Sequence, residues 1–227
     1  MPADPVARKR GGLDAGLGSF VRDSLSDQIY LHMRGLLMSG AFEPGQRIVI
    51  RKVAAAFETS HTPVREAVMQ LVREGALEFR SGHSLCVPDL SMEQYAGIRE
   101  VRANLERLAA SKAAARASAS LVETLEHIHA RFVQAEDEAC WKDALAANQQ
   151  FHFAIYEACG SDILLRLIEG LWLLAGPFIN HRYPASRPVY EGLHPHAGVI
   201  EALRQGNDEE AGEWIVRDMH LGSDRAS

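Results

Sequence analysis

Residues 59–67 read Thr-Ser-His-Thr-Pro-Val-Arg-Glu-Ala. His61, Thr62 and Arg65 crowd hydrogen-bond donors into the first turns of a predicted helix. A helix entering the major groove of DNA needs such donors, because phosphates and guanine edges are acceptors. Ser60 and Thr62 are candidate N-caps, and Pro63 is acceptable in a first turn. Arg51 is placed to contact backbone or an adjacent base, and Gly82-His83, at a hairpin tip, can approach the minor groove or phosphates. Asn148 and His152 lie four apart and so project from one helix face, a spacing at which two side chains can reach a common partner. Arg102 suits a carboxylate, which a guanidinium grips through two parallel hydrogen bonds. The competing reading of Arg102 is a surface salt bridge with Glu106, one turn away.

The elements that must hold these residues follow from apolar spacing. From Asp23, residues Leu25, Ile29, Met33, Leu36 and Leu37 fall at helical intervals and stop at Ser39-Gly40. Pro44-Gly45 marks a turn, and a short helix is predicted over 51–57, with a third over 63–74. Leu77-Glu78-Phe79 and Leu85-Cys86-Val87 are β-type runs around residues 80–84, which predicts a small hairpin. Three helices and a hairpin is the order of a winged helix-turn-helix. Pro88-Asp89-Leu90-Ser91 breaks the pattern, and Ser91 with Gln94 forms a capping-box signature. Helices are then predicted over 93–116, 121–135, 141–159, 163–179, 189–205 and 208–220. The fold class expected is therefore mainly α: a winged helix-turn-helix over 23–90 and an antiparallel all-α bundle over 91–222, able to enclose a ligand among facing helices. Residues 1–22 read as a disordered basic arm and 223–227 as a tail.

Composition narrows the class. The 227 residues are 47% hydrophobic and 24% charged, and no apolar run reaches the roughly 18–20 residues needed to span a bilayer. Arg8, Lys9 and Arg10 are followed by no signal-like apolar stretch, so the expectation is a cytoplasmic chain with no membrane partner. Cys86, Cys140 and Cys159 are odd in number and far apart, which fits neither a disulfide framework nor a Cys-rich zinc site. The net charge of −6 is unevenly spread. Residues 1–90 carry eleven Lys/Arg against ten Asp/Glu, whereas 91–227 carry thirteen against twenty.

The segments 42–48 (Phe-Glu-Pro-Gly-Gln-Arg-Ile), 59–67 and 71–77 (Leu-Val-Arg-Glu-Gly-Ala-Leu) closely resemble the GntR family of regulators, in order and spacing. That resemblance implies a regulator binding double-stranded operator DNA through Arg51, Ser60, His61, Thr62, Arg65, Gly82 and His83. Three positions depart from the family pattern. His61 stands where an arginine is usual, which removes a bidentate guanine contact and makes this one sensitive to histidine protonation. Glu58 replaces a turn glycine, so the backbone there takes a left-handed non-Gly residue or changes shape. Ser84 replaces a glycine of the wing.

Residues 98–110 resemble the opening of the helical FCD-type domain of the FadR-like subfamily, and the similarity runs to the end of the chain. The subfamily implies a homodimer, a repressor, and one divalent metal of the Zn, Ni or Mn class beside a small carboxylate effector. Carried onto this chain, the metal ligands are Asn148, in place of the usual Asp, with His152, His196 and a last ligand. For that ligand His220 is favoured by the His-Leu pair, and Asp218 is the alternative by distance from Ala211. Only one of the two can face the pocket, since they lie about 200° apart on a helix. Arg102, Asn148, His152 and His196 are the implied effector-binding residues. A neutral Asn ligand holds a cation more weakly than Asp. His127, His129, His181 and His194 read as surface or local-turn residues, with His181 and Asn180 within possible reach of the pocket. The rival reading, a metal-dependent enzyme built on the histidine cluster, lacks a recognisable general acid or base.

Overall fold

The computed structural model describes residues 24–186 and 192–220. The expected arm and tail lie outside the described residues, as do 187–191 and the side chains of His83 and His220. Helix α1 (Leu25–Met38) starts at a Ser24–Asp27 capping box. It buries Ile29, Met33 and Leu37, the stripe that the spacing predicted. Helices α2 (Ile50–Ala56) and α3 (His61–Arg73) follow, α3 beginning two residues earlier than expected. Between them Glu58 adopts φ 51°, so the backbone keeps the left-handed turn without glycine. Strands β1 (Glu78–Arg80) and β2 (Ser84–Cys86) pair antiparallel, Phe79 opposite Leu85. The wing turns through Gly82 at φ 77°, while Ser84 is extended. Arg47 adds an isolated bridge to Cys86.

Six further helices follow among the described residues: α4 (Met92–Ala114), α5 (Ala119–Asp137), α6 (Trp141–Ala158), α7 (Asp162–Ser186), α8 (Pro195–Gln205) and α9 (Asp208–His220). Ser91 caps α4 with the predicted Gln94. Helix α7 extends past the expected end at 179, and α8 begins at Pro195 rather than at 189, with 187–191 undescribed. Gly206, at φ 66°, ends α8 as a left-handed cap and turns the chain into α9. Helix α4 packs along α9, and α5 along α6, in the manner of a bundle.

The two halves do not bury separate cores. Buried residues of α1, α3 and the wing join those of α4, α6, α7, α8 and α9 in one apolar cluster. The junction is α1 on α7. Asn180 Nδ2 donates to Met38 O at 3.1 Å, and Arg34 pairs with Glu169 at 3.0 Å. Between them Gly176 lets the helices touch: a Cβ there would stand 2.9 Å from both Leu37 O and Met38 Cα. Gly176→Ala is expected to destabilise by about 1–3 kcal/mol, as overpacking does. It should lower Tm by about 5 °C and expose the 38–44 turn to limited proteolysis. An unchanged Tm and cleavage pattern would mean the two helices are not held together.

Candidate nucleic-acid interface and candidate metal centre

Helix α3 turns Val64, Ala67, Val68 and Leu71 inward, and that phase leaves His61, Thr62 and Arg65 exposed on the other side. Ser60 and Arg51 are exposed as well, and so is Gly82 at the wing tip. Ser60 occupies the N-cap position of α3 but makes no side-chain cap bond, and the first turn carries no acidic residue. The amides at the start of α3 and the positive end of its dipole thus face outward, an arrangement suited to phosphate. Among the described residues no hydrogen bond or ion pair engages the side chains of Arg51, His61 or Arg65. Their donors are free for an external acceptor.

Within the bundle, α6 contributes Asn148 and His152, α8 His196 and α9 Asp218. His152 Nε2 lies 3.0 Å from Asp218 Oδ2. His196 Nε2 lies 3.1 Å from Asn148 Oδ1 and 3.8 Å from Asp218 Oδ1. A ligand atom each from His152, His196 and Asp218 falls within 4.8 Å of the others. Asp218, the alternative, thus occupies the place for which His220 was favoured, and the His220 side chain lies outside the described residues. The helix phase explains the outcome. Ala211 and Ile215 are fully buried, and Asp218 continues their i, i+4, i+7 stripe.

Behind His152 runs a buried polar chain. Its Nδ1 lies 2.9 Å from Tyr156 OH, which donates to Glu106 Oε2 at 2.5 Å. Glu106, with no exposed surface, also accepts from Trp172 Nε1 at 2.9 Å and from Arg102 Nε at 2.7 Å. Arg102, 4% exposed, lies 4.4 Å over the Trp172 ring. The i,i+4 pairing of Arg102 with Glu106 does form, but in the interior rather than on the surface. Burial works against the Arg102 charge, and Glu106 outweighs it. Burial and Glu106 together push the Tyr156 phenol well up, so it stays protonated and donates.

That direction fixes the His152 tautomer. Since the Tyr156 proton goes to Glu106, His152 must donate from Nδ1 and present a bare Nε2 to a carboxylate oxygen 3.0 Å away. Two acceptors at that distance require a proton or a cation shared between them. The set of two imidazoles, one carboxylate and one amide oxygen fits a divalent metal of borderline softness.

His129 and His194, read from sequence as surface residues, are half-buried beside His196, with ring centroids 5.4 and 4.7 Å from it. The missed signal for His129 is the α5 stripe Val122, Leu125, Phe132, all buried, into which it falls. His194 is the N-cap of α8, its Nδ1 accepting from His196 N–H at 3.0 Å. His127 and His181 are exposed, and Asn180 serves the α1–α7 junction instead of the pocket. Burial lowers His129, lowers His194 to about 4, and holds His196 well below the usual imidazole range. Burial also pulls Asp218 upward, yet the imidazoles of His196 and His152 keep it below the usual carboxylate range.

These shifts set the acid response of the metal-free chain. An unfolded histidine binds its proton near 6.5, whereas the folded rings resist protonation, so stability is intact above about pH 6.5 and falls as pH drops toward 4. Fully buried His196 contributes a slope of up to about 1.4 kcal/mol per pH unit, and half-exposed His129 and His194 contribute less. Tm measured in chelator should start to fall below pH 6.5, and His194→Gln should flatten the curve. A flat Tm from pH 7 to 5 would contradict this account.

Comparison with known proteins identifies the two halves of the chain. Residues 25–87 match the profile of the "Bacterial regulatory proteins, gntR family", and residues 97–221 match the FCD domain. The chain is 30% identical to the HTH-type transcriptional regulator McbR of Escherichia coli K12, over 86% of this chain and 89% of that protein. It is 28% identical to the HTH-type transcriptional repressor GlaR of the same organism, over 66% of this chain and 70% of that one. The solved structure of E. coli McbR/YncC superposes with TM-score 0.80 at 27% identity, covering 87% of this chain and 94% of that one.

Proposed function

The chain belongs to the GntR family and carries its FCD domain, and from that premise we propose that it is a repressor whose operator affinity is set by a carboxylate metabolite bound beside a divalent metal. That it is a transcription regulator follows from the family and from the relatives it matches over most of their length. The metal-enzyme alternative finds no support in family or fold. Two copies of α3, on a homodimer, would read a near-palindromic operator through His61, Thr62 and Arg65, with Arg51, Ser60 and the Gly82-His83 wing tip on the phosphates. The observation that carries the reading is the outward donor set at the start of α3, without a partner among the described residues.

Asn148, His152, His196 and Asp218 would hold the metal, which supplies a positive charge to an anionic effector. Arg102 would supply the second charge, since its Nη1 makes no hydrogen bond among the described residues. Helix α7 offers a route to the reading head. Trp172 meets Glu106, and Gly176, one turn further, is seated against α1. An effector that draws Arg102 away from Glu106 would shift Trp172, and with it the helix on which the DNA-binding half rests. Its binding energy must differ between the two arrangements for this to work.

The direct test is binding of the purified chain to pooled genomic fragments at moderate salt, followed by footprinting. A protected inverted repeat near a promoter supports the reading, whereas sequence-independent, purely salt-sensitive binding contradicts it. A separate prediction concerns the metal. Asn148→Asp adds a carboxylate to the donor set and is expected to tighten divalent-metal binding roughly tenfold, read by competition with a chromogenic chelator. Unchanged affinity would remove Asn148 from the ligand set.

A further inference from the structure

His196 stands between two groups of ligand-type atoms. Its Nε2 is directed to Asn148 and Asp218, which leaves Nδ1 for its other side. That Nδ1 is buried and has no hydrogen-bond partner among the described residues, and the same holds for His129 Nδ1. A buried imidazole nitrogen without a partner is costly in either protonation state, as an acceptor lacking a donor or a donor lacking an acceptor. Around it, one ligand nitrogen from each of His129, His194 and His196 lies within 4.8 Å of the other two. Phe132 walls the group, its ring centroid 5.3 Å from His194 and 5.0 Å from His196.

We propose that His129, His194 and His196 form a second metal site, for a borderline transition cation of the Zn²⁺ or Ni²⁺ class, adjoining the first through the shared His196 ring. Three imidazoles without a carboxylate suit zinc, nickel or copper, and do not suit Mg²⁺ or Ca²⁺, which take oxygen ligands. Three protein nitrogens and one open position filled by water make a tetrahedral set. With Zn–N bonds of about 2.0–2.1 Å the nitrogens must close to about 3.3 Å of one another. Rotation of His129 and His194, which are only half-buried, provides that movement.

Ligation also requires a proton inventory. His194 would release the His196 amide that its Nδ1 now accepts, which loses one N-cap bond at a helix whose first position is already Pro195. With the first site empty, His196 binds as a neutral ring, Nδ1 to the metal and Nε2–H to Asn148 Oδ1. With both sites filled, it gives its last ring proton to solvent and bridges the two cations as an imidazolate, so the second equivalent of metal releases a proton. The site therefore goes beyond the first and does not depend on it.

The experiment is zinc stoichiometry on the full-length chain without a polyhistidine tag, stripped of metal and dialysed against Zn²⁺. Wild type is expected to hold two zinc ions per protomer, and His129→Gln and Asp218→Asn one each. His194→Gln repeats the test should His129→Gln fail to fold, and Co²⁺ substitution reports the lost tetrahedral site as a loss of visible d–d absorption. One zinc in wild type that disappears with His129→Gln but survives Asp218→Asn supports the second site and removes the first. Zinc content unchanged by both His129→Gln and His194→Gln overturns the proposal, as does a wild-type chain that binds none.

Discussion

Arg65→Ala in the full chain is expected to lose operator affinity by roughly 30-fold to 10⁴-fold while leaving the fold intact. One good base contact is worth about 1–3 kcal/mol, and a symmetric dimer forfeits two of them, with about 1.4 kcal/mol for each tenfold. Arg65 is exposed and has no partner among the described residues, so stability should change by no more than about 0.5 kcal/mol, or about 2 °C in Tm. Metal binding in the bundle should be unaffected. Fluorescence anisotropy on the footprinted operator, beside a thermal melt, separates the outcomes. Retained affinity would mean that α3 is not the reading element, and loss of affinity together with Tm would mean that the variant misfolds. A companion measurement on His61 is informative, because a neutral imidazole carries one donor and a protonated one two.

Glu106→Ala is expected to be the most destabilising single change in the bundle. It strands Arg102 as an uncompensated buried charge and leaves Tyr156 and Trp172 without their acceptor. Breaking a buried pair by removing one partner costs about 3–5 kcal/mol, or roughly 10 °C or more in Tm for a chain of this size. The double variant Arg102→Leu/Glu106→Leu removes both charges and should recover much of the loss, since a buried ion pair is often no better than apolar residues of similar volume. A Glu106→Ala chain as stable as wild type would mean that Arg102 reaches solvent. The same experiment bears on the proposed effector, because an Arg102 freed from Glu106 should bind small carboxylates more tightly per folded molecule.

Much of this was legible along the chain because its determinants are local. The stripe from Ile29 to Leu37, the Ser91–Gln94 cap and the Gly206 stop depend on residues one turn apart, and the backbone fixes which side chains are neighbours at that range. The outward phase of His61, Thr62 and Arg65 follows equally from the inward phase of Val64, Ala67 and Leu71. Helix ends were less legible, as α7 shows by passing 179, because a tertiary partner such as α1 can sustain a helix beyond its own stop signals.

What the sequence by itself determined is the order of elements, the donor-rich start of α3 and the i,i+4 pair Asn148 and His152, all properties of single helices. Only the tertiary structure decided which residues from different helices meet. It placed Asp218 beside His152 and His196, where the His-Leu pair had favoured His220, and drew His129 and His194 in from the presumed surface. It also turned Arg102 and Glu106 into a buried pair. The reason is physical. A residue's angle around its own helix follows from local spacing, but which neighbour that angle faces depends on how α4, α5, α6, α8 and α9 pack, and side-chain volumes far apart in sequence set that packing.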